Sequence, residues 1–299
     1  MGEVDQLRVG LVGGGPWART VHGPALSAHP GTELTAVWTR RPEAAQEIGA
    51  ELGAPAHATF DDLLDDVDAV AFAVPPQVQG TLAVRAAAAG RHVICEKPLA
   101  GTVEDARAVV AAVQRSGVLS SMMLTLRHDP VVRAWLAALP QDAAGAGTVG
   151  SARWLSGAVL GGPYSASPWR AEQGALLDIG PHVIDLLDAA IGEITTVRWA
   201  HRDDPDLWRF ALDHAGGAHS TVTVSLRVPI DPSEIEFVVF GRGVRHRLAG
   251  HRPDARACFA RLLDELVAAV AGTGPAPALD AVRGLRLQEL VEQVRSAAS

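Results

Sequence analysis

Leu7-Arg8-Val9-Gly10-Leu11-Val12-Gly13-Gly14-Gly15-Pro16-Trp17-Ala18 is the stretch on which the reading of this chain turns. Its first six residues are a short apolar run that predicts a buried strand, and residues 16–29 predict the helix behind it. Between them, Gly13 to Ala18 fits the pattern G-x-G-x-x-[GA]. In such a turn the first glycine permits the tight bend, the second lets backbone approach a pyrophosphate, and the last small residue allows close helix–strand packing. Amides at the helix start then meet a phosphate with the positive end of the helix dipole. A glycine-rich turn alone is often only a turn; its place between strand and helix makes it a dinucleotide signal. Gly13, Gly15, Pro16, Trp17 and Ala18 are therefore candidate cofactor-binding residues, with Trp17 either covering the cofactor or simply packing.

The same strand–helix rhythm continues outward. Strands are predicted over residues 33–39, 69–74 and 92–95, and helices over 42–52, 81–89 and 103–116, with a short helix opening at Asp61-Asp62. Buried strands alternating with crossover helices imply a doubly wound parallel sheet of the Rossmann kind. Beyond about residue 121 the pattern changes. Residues 174–191 carry apolar side chains at helical spacing (Leu176, Ile179, Val183, Leu187, Ile191). Strand patterns follow at 195–200, 207–214, 218–228 and 234–240, with Gly216-Gly217 and Gly241-Arg242-Gly243 as hairpin turns. Two helices, about 255–271 and 278–296, close the chain. The expected organisation is an α/β chain of two domains: a dinucleotide-binding domain over 1–121, then an α+β domain over 122–299 on an open, largely antiparallel sheet.

Cofactor choice is read after the second strand, where an NAD-selective site places a carboxylate on the ribose hydroxyl. Here the strand ends Val37-Trp38-Thr39-Arg40-Arg41. Two guanidiniums can pair a 2′-phosphate, and an arginine can stack on adenine. Thr39, Arg40 and Arg41 thus favour NADP, with NAD as the alternative; the other reading makes the arginines a solvated loop.

Composition narrows the remaining classes. The chain has 299 residues, 26 Lys+Arg against 34 Asp+Glu, and a net charge of -8. A mild acidic excess with dispersed arginines argues against nucleic-acid binding. Cys95 and Cys258, in unrelated contexts, offer neither a disulfide framework nor a zinc pattern. The histidines form no H-E-x-x-H, so no metal is expected. Residues 1–6 carry no leader pattern, and no apolar run approaches the roughly 18 residues a membrane span needs. A cytoplasmic enzyme acting away from membranes is the expectation.

Two further segments carry chemistry. Cys95-Glu96-Lys97-Pro98 lies at the end of a predicted buried strand, where Rossmann-type sheets present their ligands. A lysine there is costly to desolvate without a purpose or a partner. The second segment runs from Gly174 to Asp185, with Asp178 and His182 four residues apart, so that a helix would carry both on one face; Pro181 either bends that helix or marks its true start.

With the glycine-rich turn, the strand end Ala73-Val74-Pro75-Pro76, Glu96-Lys97-Pro98 and residues 174–185 in this order, the chain resembles the Gfo/Idh/MocA family of oxidoreductases along essentially its whole length. The resemblance implies NAD(P) bound by the first domain, a substrate that is a sugar, polyol, inositol or related hydroxy compound, and a homodimer or homotetramer built through the second domain's sheet. It implies Lys97, Asp178 and His182 as the catalytic set. Val74, Pro75, Pro76, Glu96 and Lys97 are then expected beside the cofactor. The chemistry agrees: hydride transfer from an alcohol needs a base for the hydroxyl proton, which imidazole suits, and a donor that steadies charge on oxygen, which Lys97 suits. Arg127, Tyr164, Trp169 and Arg170 are lesser substrate-site candidates, and the loop over 161–167 is either a lid or a connection. Gln79 stands where many relatives have histidine, and the second domain is somewhat short for the family. Reduction of a C=C or C=N bond, and a non-catalytic sensor on the same fold, remain alternatives at this stage.

Overall fold

The computed structural model describes residues 6–139, 145–161, 174–241 and 243–298. Two compact units divide the chain: one runs to His128 and takes in Asp254–Arg286, and the other covers Asp129–Pro253 and the residues from Leu287 onward.

In the first unit β1 (Leu7–Val12), β2 (Thr32–Trp38), β3 (Ala69–Phe72), β4 (His92–Cys95) and β5 (Ser120–Met122) form a parallel sheet in the order β2-β1-β3-β4-β5. Every residue of β3 is buried, as is most of β1, which is why both read as unbroken apolar runs. The chain leaves β1 toward β2 on one side and toward β3 on the other, and the carboxyl ends of β1 and β3 flank the point where the direction reverses. Ligands of open α/β sheets bind at such a point.

The helices start and stop where local chemistry dictates. α1 is Gly23–Ala28, α2 Pro42–Leu52, α3 Phe60–Asp65, α4 Pro76–Ala88 and α5 Val103–Ser116. α2 has Pro42 in its first turn and ends on Gly53 at φ 72°. α5 starts on Thr102, whose side chain accepts from the Asp105 amide, and ends on Gly117 at φ 70°. The helix expected over 16–29 is instead split into a π-helical turn, Ala18–His22, followed by α1. α4 begins five residues earlier than expected, at Pro76, because a proline suits the first turn, where no amide partner is needed.

The expected boundary after residue 121 needs redrawing at the other end of the chain. α9 (Ala255–Val270) sends Phe259, Leu262, Leu263 and Leu266 into the same core as Leu7, Val9, Leu11, Val21, Ala25 and Leu26. Residues 254–286 therefore fold with the first unit, not the second. Hydrophobic burial decides this, and it is blind to distance along the sequence.

The second unit contains α7 (Pro130–Ala137), β6 (Val149–Leu155), α8 (Gly180–Ile191), β7 (Ile194–Asp203), β8 (Leu207–His214), β9 (His219–Ser225), β10 (Glu234–Gly241) and β11 (Val244–Ala249). Its sheet has the order β11-β10-β6-β9-β8-β7, antiparallel throughout except for the parallel pair β6–β9. β6 and β11 are additions to the expected strands. The turn Ala215–Gly217 joins β8 to β9, with Gly216 and Gly217 at positive φ, as the hairpin reading required. The second hairpin closes on the pair Gly241↔Val244; Arg242 lies outside the described residues. α8 packs on this sheet, and Gly150 of β6 makes room for it: a Cβ there would fall on the Ile191 side chain.

Two outcomes follow from these placements. Gly13 sits at φ 128°, and a Cβ on it would lie 2.3 Å from the Ala73 carbonyl oxygen, whereas a Cβ on Gly15 meets nothing within 4 Å. Gly13→Ala is expected to cost about 1–3 kcal/mol or more in urea unfolding, and Gly15→Ala to leave the midpoint nearly unchanged. In the second unit, burial holds the His214 imidazole below its ordinary pKa of 6.5, with its bond to the Gly192 carbonyl opposing. The folded state disfavours that proton. The His214 contribution is therefore complete above about pH 6.5 and lost as pH falls below it. His214→Gln is expected to flatten the decline in denaturant midpoint between about pH 7 and about pH 5.

Candidate active site

The glycine-rich turn is built as a cradle. The Gly13 amide donates to the Trp38 carbonyl at 3.0 Å, fixing the turn to the end of β2. Gly13 itself lies against the Ala73 carbonyl and the Val74 side chain, so the strand end at Ala73-Val74-Pro75-Pro76 forms one wall. Gly15 and Pro16 are exposed, and the space in front of Gly15 is open. Those are the conditions a dinucleotide pyrophosphate requires: backbone within reach and no side chain in the way. Ala18 is fully buried beneath, which allows the close helix–strand approach. The Arg19 guanidinium bonds the Gly14 carbonyl at 3.2 Å and pairs with Glu47 and Glu51 of α2, securing the turn from outside.

Thr39 stands next to this cradle, its methyl 3.2 Å from where a Gly14 Cβ would be. Its hydroxyl donates to the Arg41 carbonyl at 2.6 Å and accepts from the Arg41 amide at 3.2 Å, which shapes the loop after β2. Arg40 and Arg41 are both exposed on that loop. No carboxylate follows β2 before Glu43, inside the first turn of α2.

The end of β4 is held from two sides by hydrogen bonds. Trp17 Nε1 donates to Glu96 Oε1 at 2.6 Å, and His22 Nε2 lies 2.9 Å from the same oxygen. Because a carboxylate only accepts, that imidazole nitrogen carries a proton. The Lys97 amide donates to Glu96 Oε2 at 3.3 Å. From the other side, fully buried Gln79 accepts from the Glu96 amide at 2.9 Å, and its amide nitrogen faces the carbonyls of Glu96, Leu99 and Pro98 at 2.7, 3.0 and 3.2 Å. Lys97 is half-buried and precedes Pro98 through a cis peptide bond. Gly13, Gly15, Trp17, Val74, Pro75, Glu96 and Lys97, expected from the sequence beside a cofactor, thus all lie in the first unit at the carboxyl ends of β1, β3 and β4.

In the second unit, Asp178 and His182 are both buried. They do not share one unbroken helix. A helical turn ends at Asp178, and α8 starts at Gly180 with Pro181 in its first turn. Pro181 has no amide to give to the preceding turn, so it marks the true start. The His182 ring stacks near Trp154 of β6, centroids 6.2 Å apart and 30° between planes. Asp206 fixes the start of this segment: its carboxylate accepts from the Ala175 amide at 2.9 Å and from the Leu226 amide at 3.3 Å, while Gly174 takes φ 68° against it.

Among the lesser candidates, Arg127 is half-buried on α6 (Thr125–His128), and its amide donates to the Leu124 carbonyl. Asp129 caps α7 through the Val131 and Val132 amides and bonds His251 at 2.8 Å, a structural duty. Tyr164, Trp169, Arg170 and most of the loop 161–167 lie outside the described residues. Sequence reasoning missed His22, the clamp made by Gln79, and Asp206. His22 offered a detectable signal, a polar residue on the apolar side of the first helix. The amide geometry of Gln79 left none.

Comparison with known proteins gives the following. Residues 7–124 match the Gfo/Idh/MocA model described as "Oxidoreductase family, NAD-binding Rossmann fold", and residues 141–244 match the GFO/IDH/MocA C-terminal domain. The chain is 36% identical over 204 residues to dTDP-3,4-didehydro-2,6-dideoxy-alpha-D-glucose 3-reductase of Streptomyces violaceoruber, covering 66% of this chain and 58% of that protein. It is 32% identical over 215 residues to levoglucosan dehydrogenase of Pseudarthrobacter phenanthrenivorans, covering 65% and 53%. The chain thus matches little more than half the length of these relatives. Among solved structures it is similar to GenD2 from gentamicin A biosynthesis in complex with NAD, at a TM-score of 0.84 and 23% identity, over 100% of this chain and 95% of that one. It is also similar to the WlbA dehydrogenase of Bordetella pertussis in complex with NADH and UDP-GlcNAcA, at a TM-score of 0.84 and 24% identity, over 98% and 96%. These structures share the fold. Among the described residues, no helix is long and apolar enough to cross a membrane, and no cluster of side chains has a metal-binding arrangement.

The site also makes a prediction about thiol chemistry. Burial, with the Glu96 charge adding to it, pushes the Cys95 thiol up to about 12, and Cys258 is equally buried. Since the thiolate is the reactive form, the folded chain is expected to resist an aromatic disulfide reagent at neutral pH and to release two equivalents only in denaturant. Rapid reaction of one equivalent in buffer contradicts this packing.

Proposed function

Because the chain belongs to the Gfo/Idh/MocA family of oxidoreductases, whose domain models match residues 7–124 and 141–244, we propose that it transfers hydride between nicotinamide and a hydroxyl/carbonyl carbon of a sugar, polyol or inositol. The observation that carries this reading is Lys97. It is the only lysine in the chain; all other residues among the 26 Lys+Arg are arginine. Arginine meets every ordinary need for positive charge, but its guanidinium does not give up a proton. An amine on a flexible stem can donate to an oxygen and can also exchange its proton. The single position that keeps an amine is the end of β4, on the segment bonded to the glycine-rich turn.

Bound nicotinamide supplies the hydride acceptor or donor. The chain's own residues supply the rest. The turn Gly13–Trp17 receives the pyrophosphate over buried Ala18, with Val74, Pro75 and Pro76 as the facing wall. Lys97 Nζ is assigned the reacting oxygen, where an ammonium donor steadies developing charge. His182 is assigned the hydroxyl proton, which an imidazole nitrogen can accept and return. Asp178 orients substrate or imidazole, and Trp154 limits rotation of the His182 ring.

The same reading prefers NADP. Its support is the absence of a carboxylate directly after β2 and the exposure of Arg40 and Arg41 on a loop that Thr39 holds against Gly14. Assembly as a homodimer or homotetramer through the second unit's sheet is part of the proposal, supported by exposed Val149, Trp199 and Phe240 on its strands.

Calorimetry is expected to show tighter binding of NADPH than of NADH, with the difference abolished in Arg40→Ala/Arg41→Ala; equal affinities count against NADP. In a screen of NADP⁺ with sugars, polyols and inositols, Lys97→Arg is expected to lose about 100-fold or more in kcat. Wild-type turnover by Lys97→Arg contradicts the assignment of the amine.

A further inference from the structure

We propose that Gln79 is a positioning residue, whose side-chain amide sets the conformation of residues 96–99 and thereby aims the Lys97 amine. The inference rests on the reading of Lys97 above for its catalytic consequence, but its geometry stands alone.

Gln79 lies in α4, seventeen residues before Glu96, and is completely shielded from solvent. Its Oε1 accepts a hydrogen bond from the Glu96 amide, and its Nε2 faces the carbonyls of Glu96, Pro98 and Leu99. One amide group therefore contacts four backbone groups that bracket Lys97 on both sides, its two N–H bonds shared among three carbonyls. The orientation of that amide is fixed: an N–H on one side and carbonyls on the other admit a single arrangement. Residues 96–99 have no strand partner among the described pairings, since β4 ends at Cys95. Without Gln79, buried backbone donors and acceptors on either side of Lys97 lose their partners, a state that native backbones avoid. The Glu96 side chain is pinned separately by Trp17 and His22. That second anchor keeps the segment attached to the glycine-rich turn even when the first is cut. Cutting Gln79 is thus expected to loosen the lysine rather than release the whole loop. Catalytic groups need this kind of support, because a misplacement of about 1 Å can cost on the order of 100-fold in rate.

Lys97 being the sole lysine makes the test direct. Reductive methylation with ¹³C-formaldehyde labels Lys97 and the amino terminus only, so carbon–proton spectra report the lysine environment without any substrate. In the unsubstituted chain the dimethyl-Lys97 resonance is expected away from its position in the urea-unfolded chain. In Gln79→Met, of similar length but without polar atoms, it is expected to move to the unfolded position while the circular dichroism stays native. On a substrate found in the panel, kcat is expected to fall about tenfold or more, with the Kd for NADPH changed by less than about threefold. Gln79→His keeps one donor and one acceptor and is expected to restore most of the native resonance and rate. If Gln79→Met does not fold, Gln79→His decides alone: a folded protein with the unfolded-position resonance overturns the proposal. A folded Gln79→Met with either the native resonance or the wild-type kcat also overturns it. Wild-type turnover by Lys97→Arg, combined with a displaced resonance in Gln79→Met, sinks the catalytic reading and leaves the positioning claim standing.

Discussion

The Glu96 carboxylate is the joint on which the first unit's site depends. One oxygen receives the indole N–H of Trp17, from the glycine-rich turn, and the ring N–H of His22, from the π-helical turn behind it. The other receives the amide of Lys97. A charged acceptor makes each of these bonds stronger than a neutral pair would be, and its largely buried setting reduces competition from water. The carboxylate thus joins the glycine-rich turn to the strand end that carries the amine. The π-helical turn fits this role, because single π turns inside helices are often found at functional sites. Here the turn brings His22, a residue with no exposed surface, to the same oxygen as Trp17.

This joint explains why the surrounding residues are so constrained. Gly13 must be glycine because the Ala73 carbonyl occupies the place of a side chain, while Gly15 is glycine although nothing crowds it. A glycine in open space is explained by what must approach it, not by what already packs there. The choice of arginine at every other cationic position makes the amine at position 97 informative in the same way. Neither observation depends on a bound molecule.

Much of this was legible in the sequence, for a physical reason. β1, β3 and β4 are buried on both faces, so they read as apolar runs. α2 and α5 carry their own start and stop signals at Pro42, Gly53, Thr102 and Gly117. The segment at residues 95–98 was visible because charged residues follow directly on a buried strand's end. β6 was not legible. Its Val149-Gly150-Ser151 start follows an alanine- and glycine-rich stretch and mimics a loop, and Gly150 is there to admit Ile191. The placement of residues 254–286 in the first unit was equally hidden, because an amphipathic helix does not state which core it joins. Gln79 read as a departure from a histidine pattern; its four backbone partners exist only once β4 and α4 are adjacent.

Residues 96–99 are thus held by bonds within the chain itself, before any dinucleotide arrives. Amide hydrogen exchange in the ligand-free protein tests this most directly. The Glu96 and Lys97 amides are predicted to exchange nearly as slowly as those of Val93 and Ile94 in β4, because opening them requires breaking the Gln79 and Glu96 bonds. Exchange as fast as in exposed loops, becoming slow only when NADPH is added, would show that the segment is ordered by its ligand and would contradict the account.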